Sequence, residues 1–216
     1  MKTYGLIFIA LLYVPAISSG QQKLHSIKEY ILDEKIGDLD KDGMEEKVLV
    51  VTMADSQGTG MIRELRILKR RGRDWVIWKR SAKAILPPEE GGSFNDPFEY
   101  IEIEEGILLV RQSGGKAWKW GQTDKYRYQH GTFELIGYTS FYGKACEYWA
   151  DFDYNISARR ITYKKEYEKC SLNKEKKNKK QKENFRHRLK KMITLENRYE
   201  SYTTIMCPKL KQAIVF

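Results

Sequence analysis

An acidic stretch at residues 38–46 is the part of the sequence whose residue types and spacing most clearly suggest chemistry. Three aspartates stand at alternate positions, and Gly43 follows the third, where it permits a sharp turn. Calcium ions prefer about six to eight oxygen ligands from carboxylates, backbone carbonyls and water. The stretch therefore predicts a calcium loop. The expected ligands are four side-chain carboxylates and one backbone carbonyl, from Asp38, Asp40, Asp42, Glu46 and Met44.

The loop does not fit an EF-hand. An EF-hand needs a bidentate glutamate at its last ligand position, which is Leu49 here, and a helix on each side. The apolar run from Val48 to Val51 predicts a strand instead. A structural role is expected, in which a cation neutralises clustered carboxylates between two strands. A turn that binds no metal is the alternative that the sequence leaves open.

Three aromatic residues form a second candidate site, a platform for a ligand. Trp118 and Trp120 share one face of a predicted strand, and Tyr126 belongs to the strand segment that follows. Flat apolar rings stack well on the faces of sugar rings. The competing interpretation places all three in the core of a sheet, where large aromatic residues are common.

No arrangement of residues in the sequence matches a known catalytic signature. Serine, cysteine and histidine show neither a nucleophile-elbow motif nor the spacing of a triad. Four mid-chain acids could suggest the paired carboxylates of a glycosidase. The four acids are Glu99, Glu102, Glu104 and Glu105. A strand sends Glu102 and Glu104 to one face, which is ordinary for a solvated strand. The sequence therefore predicts a protein that is not an enzyme.

The elements that must position these residues are predicted to be strands along most of the chain. Runs of high β propensity alternate with turn residues about ten positions apart. The predicted strands cover residues 27–36, 47–53, 62–69, 75–79, 98–104, 107–112, 122–128, 132–138, 145–154 and 160–167. This spacing predicts a mainly β fold built as an antiparallel meander: a sandwich, an open barrel or propeller-like sheets.

The end of the chain differs from the rest in its charge and in the spacing of its apolar residues. Residues 164–191 hold 13 Lys and Arg against 4 Glu, so they carry +9 of the net charge of +10. This basic segment could dock on an anionic lipid or polysaccharide, with nucleic acid less expected, or it could be a solvated surface. Four apolar residues spaced i, i+4, i+7 and i+8 predict a short amphipathic helix, and they are Phe185, Leu189, Met192 and Ile193. Residues 193–206 and 213–216 could supply a closing strand.

The first 20 residues are typical of an export signal. Lys2 is positive, residues 6–14 are apolar, and small residues at 18–20 suit cleavage after Gly20. The apolar run is shorter than the roughly 20 residues of a membrane span. The predicted organisation is a signal peptide at 1–20, a β domain with the calcium-type loop at 21–168 and a basic tail at 169–216. We expect a periplasmic or secreted protein without a transmembrane segment after cleavage; an uncleaved anchor is the alternative.

Three cysteines follow the predicted signal, and export permits a disulfide. Cys146 and Cys170 border the same predicted hairpin, so they are the favoured pair, which leaves Cys207 unpaired. Other pairings remain open, because the number of cysteines is odd.

The acidic loop resembles the calcium loop of FG-GAP or VCBS-type repeats, where Asp-x-Asp-x-Asp-Gly-x-x-Asp joins two strands. Here Glu46 holds the ninth position, and the loop occurs once. The series of hairpins that includes Ser113-Gly-Gly-Lys-Ala-Trp-Lys-Trp-Gly121 also resembles a group of exported bacterial proteins that begin with such a loop. The resemblance covers residues 27–165. It implies a location in the envelope or outside the cell, and it implies no activity.

These patterns together predict an exported, non-enzymatic β protein with one structural calcium loop. Its expected role is a binding or structural module of the bacterial envelope, with an unidentified protein or glycan partner. One alternative is an inhibitor or immunity-like protein that blocks a partner through an exposed loop at residues 87–97. The other is a carbohydrate-active hydrolase that uses the mid-chain acids.

Overall fold

The computed structural model describes residues 29–54, 60–94, 96–168, 170, 179–200 and 202–216. The predicted signal peptide at 1–20 lies outside the described residues. Thirteen strands and one short 3-10 helix, Pro88–Phe94, make up the regular structure of the described part. Within that part, no helix has the length and apolar character needed to cross a membrane.

The first four strands form a four-stranded antiparallel sheet in chain order. They are β1 (Glu29–Gly37), β2 (Glu46–Ala54), β3 (Met61–Arg71) and β4 (Asp74–Ser81). Alternate residues of the central strands turn inward: Val48 lies opposite Ile67, and Val50 lies opposite Leu65. All four side chains are fully buried. The acidic loop connects β1 to β2 at one end of this sheet.

The next seven strands form a second antiparallel meander, also in chain order. They are β5 (Phe98–Glu104), β6 (Ile107–Gly115), β7 (Lys119–Gln129), β8 (Thr132–Lys144), β9 (Tyr148–Asn155), β10 (Arg160–Tyr167) and β11 (Lys180–Arg186). We call the core-facing side of this sheet its inner face. It carries alternate buried residues, including Ile101, Leu108, Val110, Phe133, Phe152, Tyr154 and Ile161. These residues share one hydrophobic cluster with the inward side chains of β2 and β3.

The prediction of a mainly β, antiparallel meander is confirmed. Each of the two larger sheets ends in two different edge strands, so neither closes on itself within the described part of the chain.

The predicted C-terminal helix is wrong for the residues that the structure describes. Lys180–Arg186 is the edge strand β11, which pairs with β10 from Glu166 opposite Lys180 to Arg160 opposite Arg186. Phe185 therefore follows the alternation of a strand. Pairing with an available sheet edge outweighs the helix preference of this polar stretch, because helix propensity is a weak local term.

Part of the described basic segment lies on the paired strands β10 and β11. Lys164 of β10 lies directly opposite Lys182 of β11, and both side chains are exposed. Residues 169 and 171–178, which hold four of the 13 lysine and arginine residues of the segment, lie outside the described residues.

The end of the chain packs on the inner face of the seven-stranded sheet. Its two short strands, β12 (Thr204–Met206) and β13 (Ala213–Val215), pair with each other. They therefore form a separate ribbon, whereas the start of the predicted closing strand reaches the seven-stranded sheet, where Thr194 forms an antiparallel bridge with Glu134 of β8. The backbone N–H of Leu195 donates to the carbonyl oxygen of Phe133 at 2.9 Å. Phe216 is buried against Tyr138, with ring centroids 5.1 Å apart.

Cys146 and Cys170 form a disulfide, with their Cα atoms 5.0 Å apart. Cys207 is free and fully buried. Burial raises the pKa of its thiol to about 11, so this cysteine stays protonated and unreactive in the folded protein.

Candidate functional site

The acidic loop brings three of its predicted ligands together. One carboxylate oxygen each from Asp38, Asp40 and Asp42 lies within 4.8 Å of the others. The backbone N–H of Gly43 donates to Asp38 at 3.0 Å, and the N–H of Met44 donates to Asp42 at 2.8 Å. Gly43 has a φ of 85°, a conformation that glycine adopts without strain. The loop thus holds three oxygen donors around one point.

Glu46 lies beside this group but has other partners. Its carboxylate is buried, and one oxygen accepts the backbone N–H of Leu39 at 2.8 Å. The second oxygen lies 3.4 Å from the Lys69 ammonium. Burial raises the pKa of Glu46 above its usual value, although the hydrogen bond from Leu39 opposes that shift. Glu46, at the end of the loop, therefore links to Leu39 near its start through this hydrogen bond.

The Lys69 side chain of β3 reaches into the loop, a contact that no pattern of residues indicated. Its ammonium bonds to Asp40 and lies 3.1 Å from Asp42, and it stands 4.4 Å from the centre of the Trp78 ring. Burial alone would lower the pKa of Lys69, but hydrogen bonds to Asp40 and Asp42 raise it above its usual value. A permanent positive charge therefore faces the carboxylates.

The residues present fit an additional hard cation. One ammonium faces the carboxylates of Asp40, Asp42 and Glu46, and Asp38 adds a fourth carboxylate to the cluster, so the loop keeps an excess of negative charge. The Oδ1 atom of Asp38 is buried and has no hydrogen-bond partner among the described residues. An oxygen-only donor set suits calcium better than zinc or copper. Asp38, Asp40 and Asp42 are the residues that would hold the ion.

A groove of about 490 Å³ opens between the inner face of the seven-stranded sheet and strand β13. Three half-exposed aromatic residues line it, and these are Trp120, Tyr142 and Tyr148. Polar contacts come from Gln122, Ser140 and Gln212, and a single lysine, Lys165, supplies the charge. The groove thus combines flat apolar surfaces with a few hydrogen-bonding groups.

Sheet register explains how these residues meet. Trp120 lies opposite Tyr142, Tyr142 lies opposite Ala150, and Ala150 lies opposite Lys165. The four residues form one row across strands β7 to β10. The small Ala150 stands between Tyr142 and Lys165 in this row, and all four residues line the groove.

Trp118 supports the groove without lining it. Its ring stacks on Tyr142, with centroids 5.2 Å apart and planes 7° from parallel. It also lies 5.1 Å from the Tyr148 ring. Tyr142 stays 45% exposed in this arrangement. Stacking from one side holds the Tyr142 ring in place and leaves it accessible to a ligand.

Tyr126 belongs to the core. It is fully buried, and its hydroxyl donates to Asp124 at 3.1 Å. Of the predicted platform, the structure therefore places Trp120 in the groove, Trp118 behind it and Tyr126 elsewhere. Sequence reasoning missed Tyr142, Tyr148 and Lys165. The alternation along β8, β9 and β10 could show that each of these side chains faces inward. Only the pairing register between the strands shows that the three side chains meet.

A buried ion pair lies near the groove. Arg198 donates to both carboxylate oxygens of Asp124, at 2.7 and 3.2 Å, and both side chains are buried. The neighbouring Tyr199 hydroxyl accepts hydrogen bonds from Gln112 and from Gln122, a residue that also lines the groove. Burial raises the pKa of Tyr199 well above its usual value. This polar cluster fixes the C-terminal segment to the sheet beside the groove.

The mid-chain acids do not line this groove. Glu99 pairs with Arg111 at 3.1 Å on the surface, and the side chains of Glu102 and Glu104 are exposed. Glu105 occupies the turn between β5 and β6, with a φ of 50°. These positions are typical of a solvated hairpin.

The loop at residues 87–97 is attached to its neighbours. The backbone N–H of Ser113 donates to the carbonyl oxygen of Pro97 at 2.8 Å, and Pro97 is buried. Asp96 accepts two hydrogen bonds from the buried guanidinium of Arg63, at 3.0 and 2.5 Å. These contacts leave the end of the loop little freedom to enter another protein's active site.

Comparison of the chain with protein-family models, curated proteins and solved structures finds no significant match.

Proposed function

We propose that this chain is an exported, non-enzymatic module that binds carbohydrate in the inner-face groove. The observation that carries the proposal is the accessible Tyr142 ring, stacked on Trp118 and bordered by Trp120 and Tyr148. Aromatic faces pair well with the apolar faces of sugar rings, and amide and hydroxyl groups nearby can bond to sugar hydroxyls. A groove of about 490 Å³ is within the usual size of small-ligand sites.

The lining of the groove supports binding over hydrolysis. Glycoside hydrolysis in most families needs two carboxyl groups on either side of the scissile bond. No carboxylate lines this groove, whose charged group is Lys165. A sugar held there would meet aromatic rings, amides and an ammonium, and these can bind a glycan without cleaving it.

The acidic loop has a structural role in this proposal. Calcium would supply positive charge to Asp38, Asp40 and Asp42 and thereby stabilise the hairpin of β1 and β2. A ligand that binds only the folded state adds stability by mass action. Because the Lys69 ammonium already bonds to Asp40 and Asp42, part of this stabilisation is present without metal.

Propeller-like sheets are the arrangement that the four-stranded meander favours, because propeller blades are four-stranded. The acidic loop joins the first two strands of this meander, as in the FG-GAP and VCBS-type repeats that it resembles. The seven-stranded sheet departs from that pattern.

Replacing Tyr142 with alanine tests the proposed groove. Calorimetric titration of the wild-type protein with a panel of neutral and acidic oligosaccharides should identify binding members. The Tyr142→Ala variant should then bind at least roughly tenfold more weakly, because central aromatic contacts dominate many binding sites.

Tyr100→Ala is a matched control. Tyr100 is 44% exposed, close to the value for Tyr142, but it lies on β5 outside the groove. Its replacement should leave affinity unchanged. Equal affinity for the wild-type protein and Tyr142→Ala would contradict the proposed site, and so would an equal loss in both variants.

A further inference from the structure

We propose that the groove selects acidic sugars, with the Lys165 ammonium receiving the anionic group while the sugar ring stacks on Tyr142. This inference rests on the proposed carbohydrate-binding function and adds the ligand's charge to it.

Lys165 differs from the other buried charged residues. Its side chain is 8% exposed, yet no carboxylate lies within ion-pairing distance of its ammonium in the described part of the chain. The remaining buried charged side chains have hydrogen-bond or ion-pair partners, and they are Glu46, Arg63, Asp124, Glu134, Glu183 and Arg198. Buried charges in proteins are normally paired. A bound anion would give the Lys165 ammonium a partner of opposite charge.

Two aromatic rings lie close to the ammonium of Lys165. The Nζ atom lies 3.8 Å from the centre of the Tyr148 ring and 5.0 Å from that of Tyr167. Aromatic faces attract a cation and partly replace its lost water. They cannot neutralise its charge, so the positive potential of Lys165 extends into the groove that Lys165 and Tyr148 line.

The two proposed contacts lie two strands apart in one row of the sheet. Tyr142 and Lys165 lie on β8 and β10, and Ala150 of β9 stands between them in the same row. Adjacent strands are about 4.8 Å apart, so the two backbones are separated by roughly 10 Å. Both side chains approach the Tyr148 ring, two residues from Ala150 on β9: the Lys165 Nζ atom lies 3.8 Å from its centre, and the Tyr142 ring centroid lies 6.4 Å from it. A ring stacked on Tyr142 can therefore direct a charged substituent toward Lys165.

A uronic-acid carboxylate, a sulfate ester and free phosphate share the anionic chemistry that Lys165 would recognise. The experiment uses calorimetric titration at low salt with four probes. They are an oligogalacturonate, its methyl ester, a sulfated galactose oligosaccharide and inorganic phosphate. The oligogalacturonate and its ester have the same rings and differ in charge, so their comparison isolates the contribution of the anion.

We expect the wild-type protein to bind at least one acidic oligosaccharide, with oligogalacturonate preferred over its ester by roughly tenfold if the anion is a carboxylate. If the sulfated oligosaccharide binds instead, the recognised anion is a sulfate ester. Lys165→Met should remove the preference for charged sugars, so that oligogalacturonate and its ester bind this variant with similar affinities. Lys164→Met should keep the wild-type preference, because Lys164 is the adjacent lysine of β10 and lies exposed on the other face.

The outcomes separate this inference from the proposed function. Equal binding of charged and neutral sugars, sensitive to Tyr142→Ala, would overturn the selectivity and keep the carbohydrate site. Failure of every sugar to bind would overturn both. Phosphate binding as strong as that of the acidic oligosaccharides would show a general anion site and overturn the role of the sugar ring. Unchanged selectivity in Lys165→Met would also contradict the assignment.

Discussion

Replacing Arg198 with methionine is expected to destabilise the folded protein by about 3–5 kcal/mol. The change leaves the Asp124 carboxylate buried without its cation, and Asp124 then keeps a single side-chain hydrogen bond, from the Tyr126 hydroxyl. Chemical denaturation followed by circular dichroism measures the loss. Because Arg198 connects the C-terminal segment to β7, we also expect faster proteolysis of residues 187–216 in this variant.

Two controls isolate the cause of that effect. Arg80 is 70% exposed and lies 3.9 Å from Glu64, so Arg80→Met should cost less than about 1 kcal/mol. Combining Arg198→Met with Asp124→Leu should restore part of the stability, because the double variant buries no unpaired charge. Similar losses for Arg198→Met and Arg80→Met would show that the buried pair does not hold the segment.

The second large effect is expected at the acidic loop. Lys69→Met removes the ammonium that faces Asp40, Asp42 and Glu46. Without calcium, the clustered carboxylates should then repel one another, and the free energy of unfolding should fall by about 1–3 kcal/mol. With millimolar calcium, the melting temperature of this variant should rise more than that of the wild-type protein, because the ion no longer competes with the lysine. Thermal unfolding in calcium and in chelator measures both changes.

Lys47→Met is the matched control for that experiment. Lys47 also makes an ion pair, with Glu34 at 2.6 Å, but it does not contact the three aspartates. Its calcium response should equal that of the wild-type protein. If the melting temperatures of wild type, Lys47→Met and Lys69→Met are all independent of calcium, the loop does not bind calcium at the concentration used.

The first half of the architecture could be predicted because its signals are local. The Val-rich strand after the acidic loop and the Glu105-Gly106 turn show their conformations in adjacent residues. The alternation of β5, β6 and β8 likewise shows which side chains face the core. Hairpins joined in chain order then lead directly to an antiparallel meander.

The end of the chain could not be predicted from local patterns, since its conformation depends on distant partners. Strand β11 is polar, and its inward Glu183 accepts the backbone N–H groups of Lys209 and Leu210, both at 2.9 Å. A buried glutamate satisfied by a segment 26 residues away has no periodic signature. Helix formers and an apolar spacing near i, i+4 therefore gave the wrong expectation.

The candidate groove also combines a residue that could be predicted from the sequence with residues that could not. Trp120 attracts attention in the sequence because large aromatic residues suit ligand binding. The contribution of Lys165 depends on the register of β9 with β10 and on the absence of a nearby carboxylate among the described residues. Neither can be read from the order of residues alone. The role of Lys69 likewise depends on the fold, because Lys69 enters the acidic loop from a strand that begins 15 residues after Glu46.

The most direct test of the account is to locate the bound sugar by the indole N–H signals of the five tryptophans in an NMR titration. An oligosaccharide that binds in calorimetry should shift the signal of Trp120, which lines the groove, and that of Trp118, which stacks on Tyr142. The signal of Trp75 on β4, in the four-stranded sheet, should stay unchanged. A shift of Trp75 without any shift of Trp120 would contradict the proposed groove.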